Sequence, residues 1–461
     1  MPIKAAFMVP HPPMIVPAVG KGSEQQIAET TKAYERVADE IAALQPETIV
    51  ITSPHSVMYS DYFHISPGRG AKGDFGSFGA RQVGFSESYD QELVDRISAI
   101  AFEEKLPAGT LGERDPGLDH GTMVPLWFIR RKYLGGKIVR IGLSGLPLAE
   151  HYRLGRIIAK AAEELGRDVV LVASGDLSHK LQDYGPYGFA QEGPEYDERI
   201  MDVCGRAAFG ELFDFSESFC DKAAECGHRS FVIMAGAFDG LAVRVEKLSH
   251  QDVTGVGYGI CTFHPEGPDD SRRFLDAYLE KAERECFDRS EKSDAYVRLA
   301  RASVESWIRY GARISVPEGL PKAMLSGRAG AFVSIHEHGQ LRGCIGTISP
   351  TRESIAEEII ENAISACSRD PRFDKITPEE LKYLEISVDI LGEPEDIGSP
   401  DDLDVKRYGV IVSKGSKRGL LLPNLDRVDT VDEQIRIAAR KGGIRENESF
   451  SLQRFEVVRH Y

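Results

Sequence analysis

The chain has 461 residues, more than one ordinary hydrophobic core accommodates, and its 42% hydrophobic and 28% charged residues describe a soluble globular protein of two or three domains. A formal net charge of −16 argues against a general affinity for nucleic-acid backbones or anionic membranes, and without an 18-residue apolar run or a signal-peptide pattern a cytoplasmic protein is expected. Seven scattered cysteines with no CxxC pair suit reduced thiols and argue against a zinc ribbon.

Residues 1 to about 265 repeat one pattern: a short run rich in Val, Ile and Leu, a turn of Gly, Pro, Ser or His, then a stretch of helical period. "AAFMVP" runs to His11, which Pro10, Pro12 and Pro13 leave little backbone freedom. "GSEQQIAETTKAYERVADEIAALQ" predicts a helix opened by a Ser23–Gln26 capping box, with Ile27, Tyr34, Val37 and Ile41 on one face. "ETIVITSP" then runs to His55, a second proline-restrained histidine at a strand end. "GLDHGTMVPLWFI" places His120 before an apolar helix, "KIVRIGLSGLP" is a further strand, and "DVVLVASGDLSH" carries Asp176 and His179 past the most hydrophobic strand. "AAECGHRSFVIMAGAF" opens an apolar helix with Glu225, Cys226 and His228 at its N-terminus, where the helix dipole favours anions and thiolates.

Strands alternating with helices predict an α/β sheet covered on both faces, with ligands gathering beyond the carboxyl ends of its strands. Each of those ends here carries a histidine or an acid. The strongly charged stretch "GPDDSRRFLDAYLEKAERECFDRSEKSD" predicts a helical linker, and hairpins replace the strand–helix repeat after it. The expected division is a first domain over 1–266, a linker over 267–289 and a smaller α+β domain over 290–461.

The strand-end histidines, with a carboxylate or thiolate nearby, point to a metal. Two neutral histidines and one carboxylate on one face of an ion form the facial triad of non-haem Fe(II) oxygenases, although zinc hydrolases use similar ligands. Neither HExxH nor GxSxG occurs in the chain, which argues against the common hydrolase classes.

The order HPP, SPH, DHG, SGDLSH and ECGHRS resembles the class III, LigB-type extradiol ring-cleavage dioxygenases and their relatives the Memo proteins over roughly residues 3–265. "LRGCIGT" at 341–347, "DPRF" at 370–373 and "GLLLP" at 419–423 resemble the AMMECR domain over roughly 290–461. Their fusion is similar to the AmmeMemoRadiSam systems, in which both modules occur beside a radical SAM enzyme. The resemblance implies His11 and His55 as metal ligands, with Glu225 (dioxygenases) or Cys226 (Memo proteins) as the third. It further implies His179 as general base and His120 as the residue orienting substrate and oxygen. Asp176 stands where ring-cleaving members usually have glycine and Memo proteins aspartate. The implied activity is Fe(II)-dependent oxidation of an aromatic diol-like substrate with O2, zinc or copper being alternative metals. The alternative is a Memo-like metal-binding or redox component, with a radical SAM enzyme as partner; self-association into a homo-oligomer is a further expectation.

In the second domain Arg342 and Arg372 are candidate contacts for a carboxylate or phosphate, and Cys344 is a candidate nucleophile or substrate contact. His336 and His338 lie across the hairpin from it, and His228 is a candidate substrate contact in the first domain.

Overall fold

A computed structural model describes the whole chain except residues 115–116, 338, 426–427 and 446–447, so His338 lies outside the described residues. The chain divides into two compact units, Met1–Leu279 and Glu280–Tyr461.

The first unit is built on a six-stranded sheet. Its strands are β1 (Ile3–Val9), β2 (Thr48–Ser53), β3 (Lys137–Gly142), β4 (Val169–Ser174), β5 (Leu241–Gln251) and β6 (Tyr258–Pro268), in spatial order β3-β2-β4-β1-β6-β5. The first four run parallel. β1 pairs antiparallel with β6 and β6 antiparallel with β5, so the sheet is mixed at one edge. The helical linker anticipated from residue 267 therefore begins later, because β6 continues to Pro268 and a helix covers Phe274–Lys292.

Successive side chains of a strand point to opposite faces, and both faces here are dry. Ala6 and Met8 of β1 join Leu171 and Ala173 of β4 in one core layer, while Ala5, Phe7 and Val9 join Val170 and Val172 in the other. The second layer is covered by α1 (Ala28–Leu44) and α3 (His120–Lys132); the first is covered by α2 (Gln91–Glu103), α4 (Leu148–Glu164), α5 (Glu192–Gly205) and α6 (His228–Gly236). Tyr34, Val37 and Ile41 form the buried face of α1. The Ser23–Gln26 capping box does not form: the Ser23 hydroxyl donates to the Gly20 carbonyl, residues 23–27 make a 3-10 turn, and α1 starts at Ala28.

The second unit holds an antiparallel sheet of β7 (Ala331–Glu337), β8 (Gln340–Gly346), β9 (Leu384–Leu391), β10 (Tyr408–Lys414), β11 (Lys417–Leu421) and β12 (Ser451–His460), ordered β8-β7-β9-β12-β10-β11. β7–β8 and β10–β11 are the two hairpins read from the sequence. Helices α7 (Ala295–Tyr310) and α8 (Ile355–Ser368) bury the β7–β9 half, and α9 (Val431–Lys441) packs on β10 and β11.

Candidate metal centre

Three neighbouring parallel strands end level with one another, since Val9 pairs with Ser174 and Thr52 with Ala173. Two residues past each end the chain presents a ligand-type side chain: His11 after Val9, His55 after Ser53 and Asp176 after Ser174. A fourth segment, just before α6, brings Cys226. It approaches because Gly175 and Gly227 touch backbone to backbone; a Cβ on Gly175 would lie 2.0 Å from Gly227 Cα.

The His11 imidazole is fully buried. Its Nδ1 lies 3.0 Å from Ser174 Oγ, and that hydroxyl spends its single proton on the Gly121 carbonyl at 2.6 Å. Ser174 must therefore accept from Nδ1–H, which leaves the His11 Nε2 lone pair facing the site. His55 Nε2 stands 3.0 Å from that atom and Cys226 Sγ 3.6 Å from it. A cation with bonds of about 2.1 Å to nitrogen and 2.3 Å to sulfur, at angles between square and tetrahedral, sets such ligand separations at about 3.0–3.6 Å. The donor atoms of His11, His55 and Cys226 all lie within 4.8 Å of one another, as do those of Asp176, His179 and Cys226. The arrangement fits one metal ion held by two imidazoles and a thiolate.

Burial lowers the pKa of His11 well below the ordinary histidine value, assisted by His55 and His120, and burial also lowers that of His55. Both rings are thus neutral at neutral pH, the form in which an imidazole can bind a cation. Burial pushes the Cys226 thiol well above its ordinary pKa, with Asp176 and Glu225 adding to the rise; a bound cation reverses that preference.

His179 faces the same space. Its Nδ1 donates to the Ala224 carbonyl at 2.5 Å, which turns its Nε2 inward, 3.8 Å from Asp176 Oδ2. The other Asp176 oxygen accepts the His11 backbone N–H at 2.7 Å. Burial raises the Asp176 pKa, with His179 the largest opposing influence. His120 stands over His55 with ring centroids 4.0 Å apart, and burial together with His55 lowers its pKa to about 4.

The remaining first-unit candidates lie elsewhere. Glu225 turns away from the histidines, and its Oε2 accepts the His228 N–H at 2.6 Å at the start of α6. This corrects the expectation of Glu225 as a ligand: adjacent residues here point in different directions, and the thiol, not the carboxylate, faces His11. His228 is likewise corrected as a substrate contact, because it is buried against Phe215 with Nε2 donating to the Leu212 carbonyl at 3.0 Å and Nδ1 3.3 Å from the Tyr196 hydroxyl.

The supporting polar groups carry no distinctive signal in the sequence. Ser53 Oγ donates to Asp119 Oδ1 at 2.6 Å and accepts the His55 N–H, while Asp119 caps α3 through the Thr122 N–H. Arg140, wholly buried, lies 3.8 Å from Asp119 Oδ2. At the rim, Tyr187 meets His179 edge-on at 5.1 Å and Phe78 meets His120 at 5.3 Å. An apolar strand run followed by Ser or Asp–His was the available clue to this layer.

Of the second-unit candidates, Arg342 is spent on structure: it pairs with Glu380 at 2.6 Å and donates to the Asp374 and Lys375 carbonyls, which corrects its reading as an anion contact. Arg372 and Cys344 both line a cavity.

Geometry alone thus defines an α/β protein with a strand-end histidine–cysteine site suited to a transition metal. Residues 5–261 match the family described as the catalytic LigB subunit of aromatic ring-opening dioxygenase, and residues 297–460 match AMMECR1. The chain belongs to the LigB family, fused to an AMMECR1 domain. The same architecture extends along a protein of Clostridium acetobutylicum that is 39% identical over 469 residues, covering 100% of this chain and 99% of that one. A Thermotoga maritima protein is 48% identical over 167 residues, 36% of this chain and 96% of its own. Among solved structures, the uncharacterized protein PH0010 from Pyrococcus horikoshii is similar at 30% identity over 37% of this chain and 91% of its own, with a TM-score of 0.35. The uncharacterized protein JW3007 from Escherichia coli covers 56% of this chain and 99% of its own at 17% identity and a TM-score of 0.37. LigB proteins are usually metal-dependent, dioxygenase-type catalysts. No described helix is long and apolar enough to cross a membrane.

Proposed function

We propose that the first unit is a metal-dependent oxidoreductase of the dioxygenase type, acting with O2 on a small aromatic diol-like substrate, with Fe(II) held by His11, His55 and Cys226. The observation that carries this reading is the convergence of the His11 and His55 Nε2 atoms, 3.0 Å apart, with Cys226 Sγ 3.6 Å from His11 Nε2 and a further imidazole, His179, across the site. When bound, the metal supplies Lewis acidity and electron transfer to the substrate and oxygen.

The chain's own groups divide the remaining work. His179 Nε2 takes the proton of a substrate hydroxyl, and Asp176 Oδ2, 3.8 Å away, stabilises the imidazolium that results. The His11 backbone N–H holds that carboxylate through its other oxygen, and the Asp176 backbone N–H donates to Cys226 Sγ. His120, kept neutral by burial, offers a ring N–H to an oxygen of the substrate or of O2. Tyr187 and Phe78 flank the mouth and bracket a flat ring.

Protein purified anaerobically should carry a stoichiometric metal and consume oxygen with a member of a catechol panel. Uptake should vanish in His11→Ala and His179→Ala. Metal-free protein after iron supplementation, or uptake indifferent to His11, would overturn the proposal.

A second reading is favoured by Cys226 occupying the place of the expected carboxylate: a sulfur-containing donor set also suits zinc or copper in a metal-binding or redox component that serves a radical SAM enzyme. Copper or zinc in the purified protein, no oxygen uptake, and tight association with such an enzyme would favour it.

A further inference from the structure

The second unit contains a cavity of about 1180 Å³ that lies largely against the sheet face turned away from α8 and reaches Val297 and Arg301 of α7 at one end. Strand alternation assigns its floor: Phe332 pairs with Gly346 and Asp389, Ser334 with Cys344 and Ser387, while Val333, Ile335 and Val388 point the other way into the core. Phe332, Ile348, Leu420 and Leu422 give it an apolar wall.

One end is built around Cys344. Asp370, buried in the "DPRF" turn, accepts the Cys344 backbone N–H at 2.9 Å and grips Arg372 through Nε at 2.9 Å and Nη2 at 2.7 Å. Arg372 Nη2 also donates to the Cys344 carbonyl at 3.0 Å, which fixes the guanidinium beside the cysteine. Lys441, at the C-terminal end of α9, lines the same cavity; Cys344 and Arg372 are the charged or ionisable neighbours that act on it. Among the described residues Lys441 has no acidic partner. The acids elsewhere on the wall, Glu385 and Asp389, are paired with Arg289 and Arg459. Counting Arg372, Asp370 and Lys441 together leaves one positive charge uncompensated at this end, and Arg418 and Lys292, also on the cavity wall, add to it without an acidic partner among the described residues.

We propose that this cavity is a second ligand site, which binds a small organic acid with its carboxylate between Lys441 and Arg372, next to Cys344, and its apolar body against Phe332, Ile348 and Leu420. A carboxylate offsets the positive charge at that end, and Arg372 is already oriented for it by Asp370, so little ordering is needed on binding. The apolar wall selects against inorganic anions, which cannot use it. The site lies wholly in the second unit, whereas the candidate metal centre lies in the first.

The test uses the full chain and 8-anilinonaphthalene-1-sulfonate, a monoanion with an aromatic body. Saturable fluorescence binding is expected, with Cys344 carboxamidomethylation by iodoacetamide, followed by peptide mass mapping, slowed at least about fivefold on saturation. Lys441→Ala should weaken binding about tenfold, the effect of one lost charge-assisted contact, whereas Lys441→Arg should retain it. Decanoate should displace the probe, and inorganic phosphate at equal concentration should not. Equal affinity in the wild type and Lys441→Ala, both folded by circular dichroism, would overturn the proposal, as would binding that leaves Cys344 unprotected or phosphate competing as well as decanoate.

Discussion

At the scale of single residues, Ser174 decides which nitrogen of His11 carries the proton, because its own proton is committed to the Gly121 carbonyl, and so it leaves the Nε2 lone pair free towards the candidate metal site. Ser174→Ala frees the imidazole to take the other tautomer. Outer-shell partners of metal-bound histidines are typically worth about 10–100-fold in metal affinity, so a loss of that size is expected in a metal titration, with the fold intact by circular dichroism. Asp370 offers a separate test. The Arg372 guanidinium, aided by two backbone N–H groups, lowers its pKa to about 2, against burial, from an ordinary value of 3.8. A depressed carboxylate contributes stability above its unfolded pKa and loses it as pH falls through the folded one, here about 2 kcal/mol at neutral pH. Asp370→Asn should therefore lower the stability of the second unit by about that amount at pH 7, and urea titrations should show the gap narrowing by about half at pH 3.

At the scale of elements, the site depends on two loops meeting without side chains between them. Gly175→Ala would drive a methyl into Gly227 Cα, and both backbones would have to separate, carrying Asp176 and Cys226 apart. The expected result is loss of metal binding together with destabilisation of about 2 kcal/mol or more, read by metal analysis and thermal melting. Unimpaired metal binding in this variant would show that the cysteine loop reaches the histidines without the glycine contact. The elements themselves differ in how openly the sequence announces them. Buried parallel strands read as unbroken apolar runs, and a proline-bound histidine after such a run is conspicuous, so β1, β2 and β4 and their side chains His11, His55 and Asp176 could be placed in advance. The hairpin of β5 and β6 was hidden because its long, partly exposed strands mix charged and apolar residues, as in "LAVRVEKLSHQ". The choice between Glu225 and Cys226 lay beyond pattern altogether: the two are adjacent, both suit a helix N-terminus, and only the path of the backbone through Gly227 turns one inward. Lys441 was equally hidden, since the helix that brings it to Cys344 is remote in the chain and amphipathic for reasons of packing alone.

At the scale of the whole molecule, each unit has its own hydrophobic core, and the boundary between them falls within the helix Phe274–Lys292. The chain's two tryptophans divide between them: Trp127 packs at the edge of a first-unit core layer and Trp307 against a second-unit core. Each unit can therefore be followed separately, with Trp307→Phe leaving a reporter for the first and Trp127→Phe one for the second. A ligand that binds only folded protein stabilises it by RT ln(1 + [L]/Kd), about 2.7 kcal/mol at a hundredfold excess over Kd. Anaerobic addition of Fe(II) should raise the urea midpoint reported by Trp127 to that extent, while the midpoint reported by Trp307 stays in place. Cys226→Ser should greatly reduce the shift, because it removes the sulfur donor that stands 3.6 Å from His11 Nε2. A common shift of both midpoints would mean that the units unfold as one cooperative block despite their separate cores. Absence of a shift in the Trp127 signal, with metal bound, would mean that the ion does not hold the strand-end loops to the fold.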